Sequence, residues 1–413
     1  MRFSIVAGVA VLASTAAASP TPDFGRHGHN NVQVGVRPEF LVDIMPAGSL
    51  KDKLASCKNK KLRTTDFAIS HRGAPLQFPE HTKAGLAAAM RMGAGILECD
   101  VAFTKDRELV CRHSQCDLHT TTNILAVPAL AAKCTQNFKP AGNGKPASAK
   151  CCTSDITLAE FKSLCGKMDG FNPKATTVAE YMDGTAPFRT DLYASTCGEL
   201  YSHKEFIKIV DGYGLRFTPE LKAPEVPMPF EGEYSQEEYA QQLIDEYRAA
   251  RIHPDRVFLQ SFSVQDIYYW NKHAGDYAKQ AMYLDSRPDT PAGAKAATAS
   301  MAQLKKSGVK TLSPAFHALL KLDGNEIVPS DYAVAAKKAS IKLSTWSLER
   351  SGPLNQVRAN GDFYYSSIAN AIKDDGDMYR VVDALARKVG VIGIFSDWPA
   401  TVSYYANCFE LGL

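Results

Sequence analysis

The sequence predicts an α/β fold, a single TIM or (β/α)₈ barrel with a cysteine-rich insertion after its second strand. From Asp66 onward, short β-type runs alternate with helical stretches, which is typical of parallel βαβ units. The alternation stops between residues 114 and 200, where threonine, alanine, proline, lysine and cysteine predominate. The 335 residues from 66 to 400, without the 87 of that stretch, leave 248. Because a (β/α)₈ barrel takes about 250 residues, one barrel and one insertion account for the length.

Two sets of segments provide the strands and helices of this barrel. The predicted strands are Phe67–His71, Ala94–Phe103, Leu109–His113, Leu215–Leu221, Val257–Ser261, Gln280–Leu284, Thr311–Ser313, Lys342–Trp346 and Val391–Ser396. The predicted helices are Thr82–Met92, Lys204–Gly212, Gln236–Arg251, Val264–His273, Ala294–Ser307, Asp331–Ala339 and Asp377–Val389. A doubly wound open sheet is the alternative architecture. It is disfavoured because no glycine-rich dinucleotide loop follows the first strand.

The N-terminus has the features of a secretory signal peptide. Arg2 supplies a positive charge, Ile5–Ala13 is apolar, and Ala16-Ala17-Ala18 offers a small-residue cleavage site. The apolar run is shorter than the roughly 20 residues that span a bilayer. We therefore predict a secreted protein without a stable membrane anchor, with its signal peptide at residues 1–18. An N-terminal extension (19–65), the interrupted barrel (66–400) and a C-terminal tail (401–413) are predicted to follow.

Ten cysteines support export to an oxidising compartment. Five of them lie between residues 116 and 165, and Cys197 follows, so the insertion is expected to be held by disulfides. A zinc site is disfavoured because the sequence has no CxxC pair. Cys99 and Cys111 lie within predicted strands and are candidates for buried thiols. The connectivity of the other eight is left open.

Charge and composition exclude several classes of protein. The 47 basic and 44 acidic side chains nearly balance, and no long run of lysine and arginine is present. This disfavours a nucleic-acid partner. With 45% hydrophobic residues, the chain also differs from wholly disordered proteins. The sequence leaves the oligomeric state open.

Polar residues cluster at the carboxyl ends of the first predicted strands, where barrel enzymes build their active sites. The clusters are His71-Arg72-Gly73, Pro79-Glu80-His81-Thr82, Glu98-Cys99-Asp100 and His113. Because side chains alternate along a strand, Glu98 and Asp100 share one face and Cys99 points to the other. Two buried acids on one face require a cation or donors nearby. Together with Glu220 they predict an oxygen-ligand site for Ca²⁺, favoured over Mg²⁺ because extracellular sites tolerate weak affinity.

Two cations and two histidines accompany the predicted metal ligands. Arg72 and Lys222 supply positive charge, and an arginine fork matches the geometry of a phosphate. His71 and His113, on neighbouring strands, are candidates for acid and base on opposite sides of a scissile bond. This combination of groups is suited to cleaving a phosphodiester.

The same motifs resemble those of the glycerophosphodiester phosphodiesterases of the secreted or periplasmic type. The resemblance extends from about Asp66 to Pro399 and rests on His71-Arg72-Gly73, Pro79-Glu80-His81-Thr82, Glu98-x-Asp100, Thr104-Lys105-Asp106, Leu109-Val110, His113, Glu220-Leu221-Lys222, Gln260-Ser261-Phe262, Trp346 and Ser396-Asp397-Trp398-Pro399. It implies a TIM barrel with an insertion after the second strand, in agreement with the strand pattern. It also implies a metal-dependent hydrolase that converts small glycerophosphodiesters into glycerol 3-phosphate and an alcohol.

Carried over residue by residue, the resemblance makes His71 and His113 the general acid/base pair, with His71 as acceptor and His113 as donor. Glu98, Asp100 and Glu220 become the metal ligands, while Arg72 and Lys222 bind the phosphate. The chain departs from the family where Ser114 replaces the usual Asp or Asn, and at Leu118-His119-Thr120-Thr121-Thr122. These differences concern substrate preference more than the chemistry.

Three further residues are candidates for the substrate pocket: Glu80, Phe262 and Trp346. Each has an equally strong structural interpretation, which is helix capping for Glu80 and core packing for the two aromatic residues. Two other functions remain compatible with the sequence. One is a phospholipase D-type enzyme acting on sphingomyelin or lysophospholipids, and the other is a non-catalytic secreted binding protein on the same fold.

Overall fold

The computed structural model describes residues 31–194 and 196–413. The signal peptide expected at residues 1–18 lies outside the described residues. The strands are β1 (Thr65–Ser70), β2 (Ala94–Phe103), β3 (Leu109–Cys111), β4 (Gln136–Lys139), β5 (Ser148–Lys150), β6 (Cys165–Gly166), β7 (Gly198–Glu199), β8 (Arg216–Leu221), β9 (Gln260–Ser261), β10 (Met282–Tyr283), β11 (Thr311–Leu312), β12 (Leu320–Asp323), β13 (Glu326–Pro329), β14 (Lys342–Leu343), β15 (Thr345–Leu348) and β16 (Ile394–Ser396).

The helices are α1 (Arg37–Asp43), α2 (Ser49–Ala55), α3 (Lys83–Arg91), α4 (Leu118–Thr121), α5 (Pro128–Ala131), α6 (Leu158–Lys162), α7 (Val178–Met182), α8 (His203–Gly212), α9 (Gln236–Ala249), α10 (Val264–His273), α11 (Pro291–Ala299), α12 (Met301–Lys306), α13 (Asp331–Lys338), α14 (Met378–Asp383) and α15 (Ala400–Phe409). The helix predicted over Ala294–Ser307 is divided at Ser300 into α11 and α12. Among the described residues, no helix combines the length and apolarity needed to cross a membrane.

The predicted (β/α)₈ barrel is confirmed. Its parallel strands pair in the order β14-β11-β10-β9-β8-β2-β1-β16-β15. Only Ser344 separates β14 from β15, and these two strands pair with β11 and β16 respectively. They therefore form one bent strand that closes a ring of eight, and the carboxyl ends of all its strands meet at one end.

Strand β2 is the central element for the site. All ten of its residues are buried, as expected for a parallel strand covered on both faces. Cys99 joins the core outside the ring and forms a disulfide with Cys111 of β3, which pairs antiparallel with β2. The interpretation of these two residues as buried thiols is therefore wrong. Glu98 and Asp100 lie on the other face, next to Thr218 and Glu220 of β8 in the sheet register.

The segment between β3 and α8 has a core of its own. The buried apolar residues of this core lie beside the barrel and include Leu118, Ile124, Phe161 and Tyr181. Three disulfides join its loops: Cys116–Cys152, Cys134–Cys151 and Cys165–Cys197. The cysteine-rich composition of this segment thus corresponds to a small disulfide-linked unit, because its few short helices and strands bury little apolar surface.

The two ends of the described chain are joined at the barrel wall. Residues 400–409, which the sequence assigns mainly to a C-terminal tail, form the buried helix α15. Cys408 of α15 forms a disulfide with Cys57, which follows α2. The Tyr404 hydroxyl donates a hydrogen bond to the Leu54 carbonyl oxygen at 2.8 Å. Both ends therefore pack on the barrel, and the N-terminal extension contributes the two short helices α1 and α2.

Candidate active site

The strand ends converge on a cavity at the carboxyl end of the barrel. It is lined by seven of the ten residues that the sequence selects, His71, Arg72, Glu98, His113, Glu220, Phe262 and Trp346, together with Gln260, Leu284, Tyr364 and Phe395. Asp100 contacts Arg72 of this set, Lys222 contacts Glu220, and Glu80 contacts Arg72.

Three buried carboxylates form a cluster beside the cavity. Oxygen atoms of Glu98, Asp100 and Glu220 all lie within 4.8 Å of one another. Burial and the neighbouring carboxylates raise the pKa of Glu98 well above its ordinary value and that of Glu220 to about 8, although Lys222 opposes the latter shift. A divalent cation would relieve this repulsion, and three hard oxygen donors suit Ca²⁺ or Mg²⁺. The residues present therefore fit a divalent metal.

Asp100 differs from its two partners because positive groups surround it. Burial alone would raise its pKa, but Lys222 and the hydrogen bond from His81 lower the pKa well below the ordinary value. The Nε2 atom of His81 lies 2.7 Å from Oδ2 of Asp100, and Nζ of Lys222 lies 3.9 Å from Oδ1. Lys222 also forms an ion pair with Glu220 at 2.6 Å. His81, to which the sequence analysis assigns no role in the site, contacts the acidic cluster directly.

Glu98 is held by one backbone and one side-chain donor. The Arg72 backbone N–H donates to Oε2 at 2.7 Å, and the Gln260 amide donates to Oε1 at 3.0 Å. Arg72 adopts a left-handed backbone conformation, with φ of 55°, that is uncommon for a residue with a side chain. Gly73 follows with φ of 94°, and a Cβ there would lie 3.0 Å from the backbone of Gly85. The His-Arg-Gly motif thus needs its glycine for a close backbone contact.

Arg72 lies between two acidic groups. Its guanidinium is 3.2 Å from Oε2 of Glu80 and 3.6 Å from Oδ2 of Asp100. Burial would raise the pKa of Glu80, but Arg72 and Arg350 lower it to about 2. The Thr82 side chain caps helix α3, so Glu80 does not have the capping role that was one interpretation of its position. Glu80 instead holds the Arg72 side chain.

His71 is anchored by residues from the far end of the chain. Its Nδ1 atom lies 2.6 Å from Oδ1 of Asp397, 3.0 Å from the Ser347 hydroxyl and 3.3 Å from Nη1 of Arg350. Burial lowers the pKa of His71 to about 4 despite the nearby Asp397 carboxylate. For Asp397, burial is outweighed by Arg350, His71 and Arg189, which lower its pKa well below the ordinary value. Because Nδ1 faces Asp397, Nε2 is the nitrogen left for a substrate.

His113 is a half-buried residue that lines the cavity. Burial and the positive charges of Arg72 and Lys222 lower its pKa well below the ordinary value. The Ser114 hydroxyl donates a hydrogen bond to Oε1 of Glu225. Glu225, on the loop after β8, thus brings a carboxylate next to this strand end.

Aromatic side chains form one side of the cavity mouth. The ring of Phe262, which is 39% exposed, contacts Trp346 edge-on at 5.9 Å between centroids. Tyr364 contacts the same indole at 5.9 Å. The Nζ atom of Lys222 lies 5.7 Å from the centre of the Phe262 ring, within the range of a cation–π contact. Phe262 and Trp346 therefore face the cavity as well as packing against each other.

Comparison with known proteins agrees with these motifs. Residues 71–401 match the model of the glycerophosphoryl diester phosphodiesterase family. A protein of Arthroderma benhamiae described as "Extracellular protein" is 82% identical over 245 residues, which make up 59% of this chain and the whole of that protein. Glycerophosphodiester phosphodiesterase GDPD6 of Arabidopsis thaliana is 21% identical over 378 residues, covering 87% of this chain and 91% of its own length.

Solved structures support the fold. A crystal structure from Silicibacter pomeroyi, assigned to the glycerophosphoryl diester phosphodiesterases, superposes with a TM-score of 0.52 at 20% identity. The superposition covers 84% of this chain and 93% of that one. At this level of identity the match establishes the barrel architecture.

Proposed function

The chain belongs to the glycerophosphoryl diester phosphodiesterase family, and we propose that it is a secreted, metal-dependent enzyme that releases glycerol 3-phosphate and an alcohol by two-histidine acid/base catalysis. One observation carries this proposal: a cluster of three buried carboxylates, two cations and two histidines borders a single cavity. The cations attract a phosphodiester anion, and the histidines provide groups that move protons.

The proposed metal ligands are Glu98, Asp100 and Glu220, and Ca²⁺ is favoured over Mg²⁺ because extracellular sites tolerate weak affinity. A bound divalent cation would stabilise negative charge on the phosphate oxygens. Arg72 and Lys222 would add fixed positive charge that attracts the same phosphate. Their ion pairs with the acidic cluster hold both side chains before substrate arrives.

His71 is the proposed proton acceptor. Burial holds its pKa at about 4, so the imidazole is neutral near pH 7. The contact between Nδ1 and Asp397 favours the tautomer whose Nε2 lone pair is free to accept a proton from the attacking hydroxyl. That hydroxyl belongs to the glycerol group of the substrate, through a cyclic phosphate, or to water.

His113 is the proposed proton donor to the leaving alkoxide. Besides burial, the positive charges of Arg72 and Lys222 hold its pKa down. A phosphodiester anion bound by these cations offsets their charge, which raises the pKa of His113 in the complex. Substrate binding thereby favours the protonated form of His113, which donates its proton to the leaving oxygen as the P–O bond breaks.

Secretion is proposed from the N-terminal sequence and from the relative described as an extracellular protein. The five disulfides are consistent with an oxidising compartment. Expression with residues 1–30 intact, followed by N-terminal sequencing of the protein in the culture medium, tests this. Retention in the cell with an uncleaved N-terminus would contradict it.

A substrate panel tests the proposed reaction. The chelated protein is assayed on glycerophosphocholine, glycerophosphoethanolamine, lysophosphatidylcholine and sphingomyelin, with Ca²⁺ or Mg²⁺ added back. We expect metal-dependent release of glycerol 3-phosphate from the first two, with Ca²⁺ the more effective ion. Turnover of the lipids alone would instead identify a phospholipase D-type enzyme. If chelation causes no loss of activity, the reaction does not depend on a metal.

A further inference from the structure

The insertion reaches the candidate active site through one buried arginine. Arg189 belongs to the segment 114–200, yet its Nη2 atom donates to Oδ2 of Asp397 at 3.1 Å. Its side chain is only 6% exposed, although Pro187 and Thr190 on either side are exposed. The insertion therefore directs this one side chain inward, toward the carboxylate that contacts His71.

Three contacts hold the segment around Arg189 on the barrel. The Thr190 backbone N–H donates to the Leu76 carbonyl oxygen at 3.3 Å, and Tyr193 stacks on Phe78 at 4.5 Å. On the other side, the Phe188 ring packs so closely on Gly352 that a Cβ there would lie 2.9 Å from it. These partners lie on the loops after β1 and β15, which also carry the surroundings of His71.

The two oxygen atoms of Asp397 have different partners. Oδ1 is near Nδ1 of His71 at 2.6 Å and accepts a hydrogen bond from Ser347 at 3.2 Å. Oδ2 interacts with Arg189 at 3.1 Å and with Arg350 at 3.2 Å. Arg350 also reaches Oδ1 at 3.3 Å, so Arg189 is the partner that contacts Oδ2 alone. Its bond fixes the rotation of the carboxylate and so the direction of Oδ1 toward His71.

A purely stabilising ion pair explains this arrangement less well. Arg350 already compensates the charge of Asp397, and a second buried guanidinium adds a desolvation cost. The Nε atom of Arg189 is buried without a hydrogen-bond partner among the described residues. A buried donor left unpaired destabilises the fold, so the position of Arg189 is better explained by what it does to Asp397.

We infer that Arg189 is a positioning residue for the hydrolysis, and that the insertion completes the active site by holding Asp397, and through it His71, in the orientation that accepts a proton. The inference rests on the proposed role of His71. It makes the insertion part of the catalytic apparatus: any change that lifts the segment 186–193 from the barrel is expected to lower turnover without removing a group that touches substrate.

The test compares R189M and R189K with H71A and with the double variant R189M/H71A, all in the full chain with metal present. K162M is the matched control, because Lys162 lies elsewhere on the insertion and forms an exposed ion pair with Glu205 of α8. Initial rates on glycerophosphocholine are measured against substrate concentration and pH, and thermal unfolding establishes that each variant is folded.

For R189M we expect kcat to fall roughly 10- to 100-fold with KM within about twofold of the wild type, since a misdirected catalytic group costs about this much. The acidic limb of the rate profile should move to higher pH, because removing a cation stabilises the protonated imidazole. R189K should recover part of kcat, and R189M should add little to the loss in H71A. K162M should match the wild type.

Each outcome separates the inference from the proposed function. If R189M and R189K keep the kcat and pH profile of the wild type while H71A is inactive, the inference is wrong and the acid/base pair stands. If R189M lowers kcat equally in the wild-type and H71A backgrounds, Arg189 does not act through His71 and the inference is again wrong. If H71A keeps full turnover, the acid/base assignment itself is wrong.

Discussion

The Nδ1 atom of His71 lies 2.6 Å from Oδ1 of Asp397, although 326 residues separate the two in the chain. The pair joins the end of β1 to the residue after β16, and these strands are neighbours in the closed barrel. Closure of the ring therefore creates the contact. A histidine that follows the first strand is held by a carboxylate that follows the last one.

We expect Asp397→Asn to lower kcat by roughly 10²- to 10⁴-fold, because the amide no longer selects the tautomer or the orientation of His71. KM should change little, since no step of substrate binding is assigned to this side chain. Steady-state kinetics on glycerophosphocholine measure both parameters. Asp276→Asn, at an exposed ion pair with Lys279, is the matched control. Wild-type kcat in D397N would show that the carboxylate does not position the base.

The pH dependence of kcat/KM should show the acidic limb near pH 4, not near 6.5. Burial lowers the pKa of His71 to about 4, so the imidazole stays neutral and able to accept a proton down to that pH. The same shift contributes stability that is fully present above about pH 6.5 and is lost as the pH falls toward 4, because only the unfolded chain binds the proton there. Glycerophosphocholine suits the measurement, since its charge is constant in this range. An acidic limb near pH 6.5 would contradict the lowered pKa of His71.

The sequence predicts β2 with its observed limits because the information is local. A run that is apolar except at Glu98 and Asp100 marks a buried strand, and the alternation of side chains places these two acids on one face and Cys99 on the other. The error about Cys99 has a physical reason as well. Treating the strand cysteines as thiols ignores the antiparallel pairing of β2 with β3, which brings Cys99 to Cys111.

The environment of His71 could not be predicted in the same way. Arg189, Arg350 and Asp397 come from three distant segments, and no spacing in the sequence relates them to one another. Ser396-Asp397-Trp398-Pro399 is visible as a short motif, but its partner is determined only by barrel closure. Arg189 lies in a segment without periodic pattern, where a single arginine resembles any surface cation.

Removal of a carboxylate from the acidic cluster should abolish metal-dependent stabilisation. Ca²⁺ at about 100 times its dissociation constant is expected to stabilise the wild type by about 2.7 kcal/mol, because it binds the folded protein only. E220Q should lose most of this stabilisation by Ca²⁺, because one of the three carboxylate ligands becomes a neutral amide. Thermal unfolding with and without Ca²⁺ provides the measurement. E233Q, at an exposed carboxylate paired with Arg107, should respond like the wild type.

The disulfide that joins the chain ends should matter for stability and not for turnover. C57A/C408A is expected to lose roughly 2–5 kcal/mol of unfolding free energy, since the bond closes a loop spanning 351 positions. C134A/C151A, whose bond spans 17 positions, is the comparison, and chain entropy predicts a smaller loss there. The first pair lies away from the cavity, so kcat at 25 °C should be unchanged. Equal losses in the two variants would argue against the entropic account.

Phe262→Ala should raise KM for glycerophosphocholine by roughly tenfold, because the ring lines the cavity mouth and losing its contact with a bound substrate removes about 1–2 kcal/mol of binding free energy. The melting temperature should hardly change, since the ring is already 39% exposed. Phe40→Ala, at a ring that is 52% exposed on α1, is the matched control and should leave KM unaltered. The contrary result is that F262A lowers the melting temperature and leaves KM as in the wild type. In that case Phe262 only packs against Trp346 and Lys222, and the substrate must contact another side of the cavity.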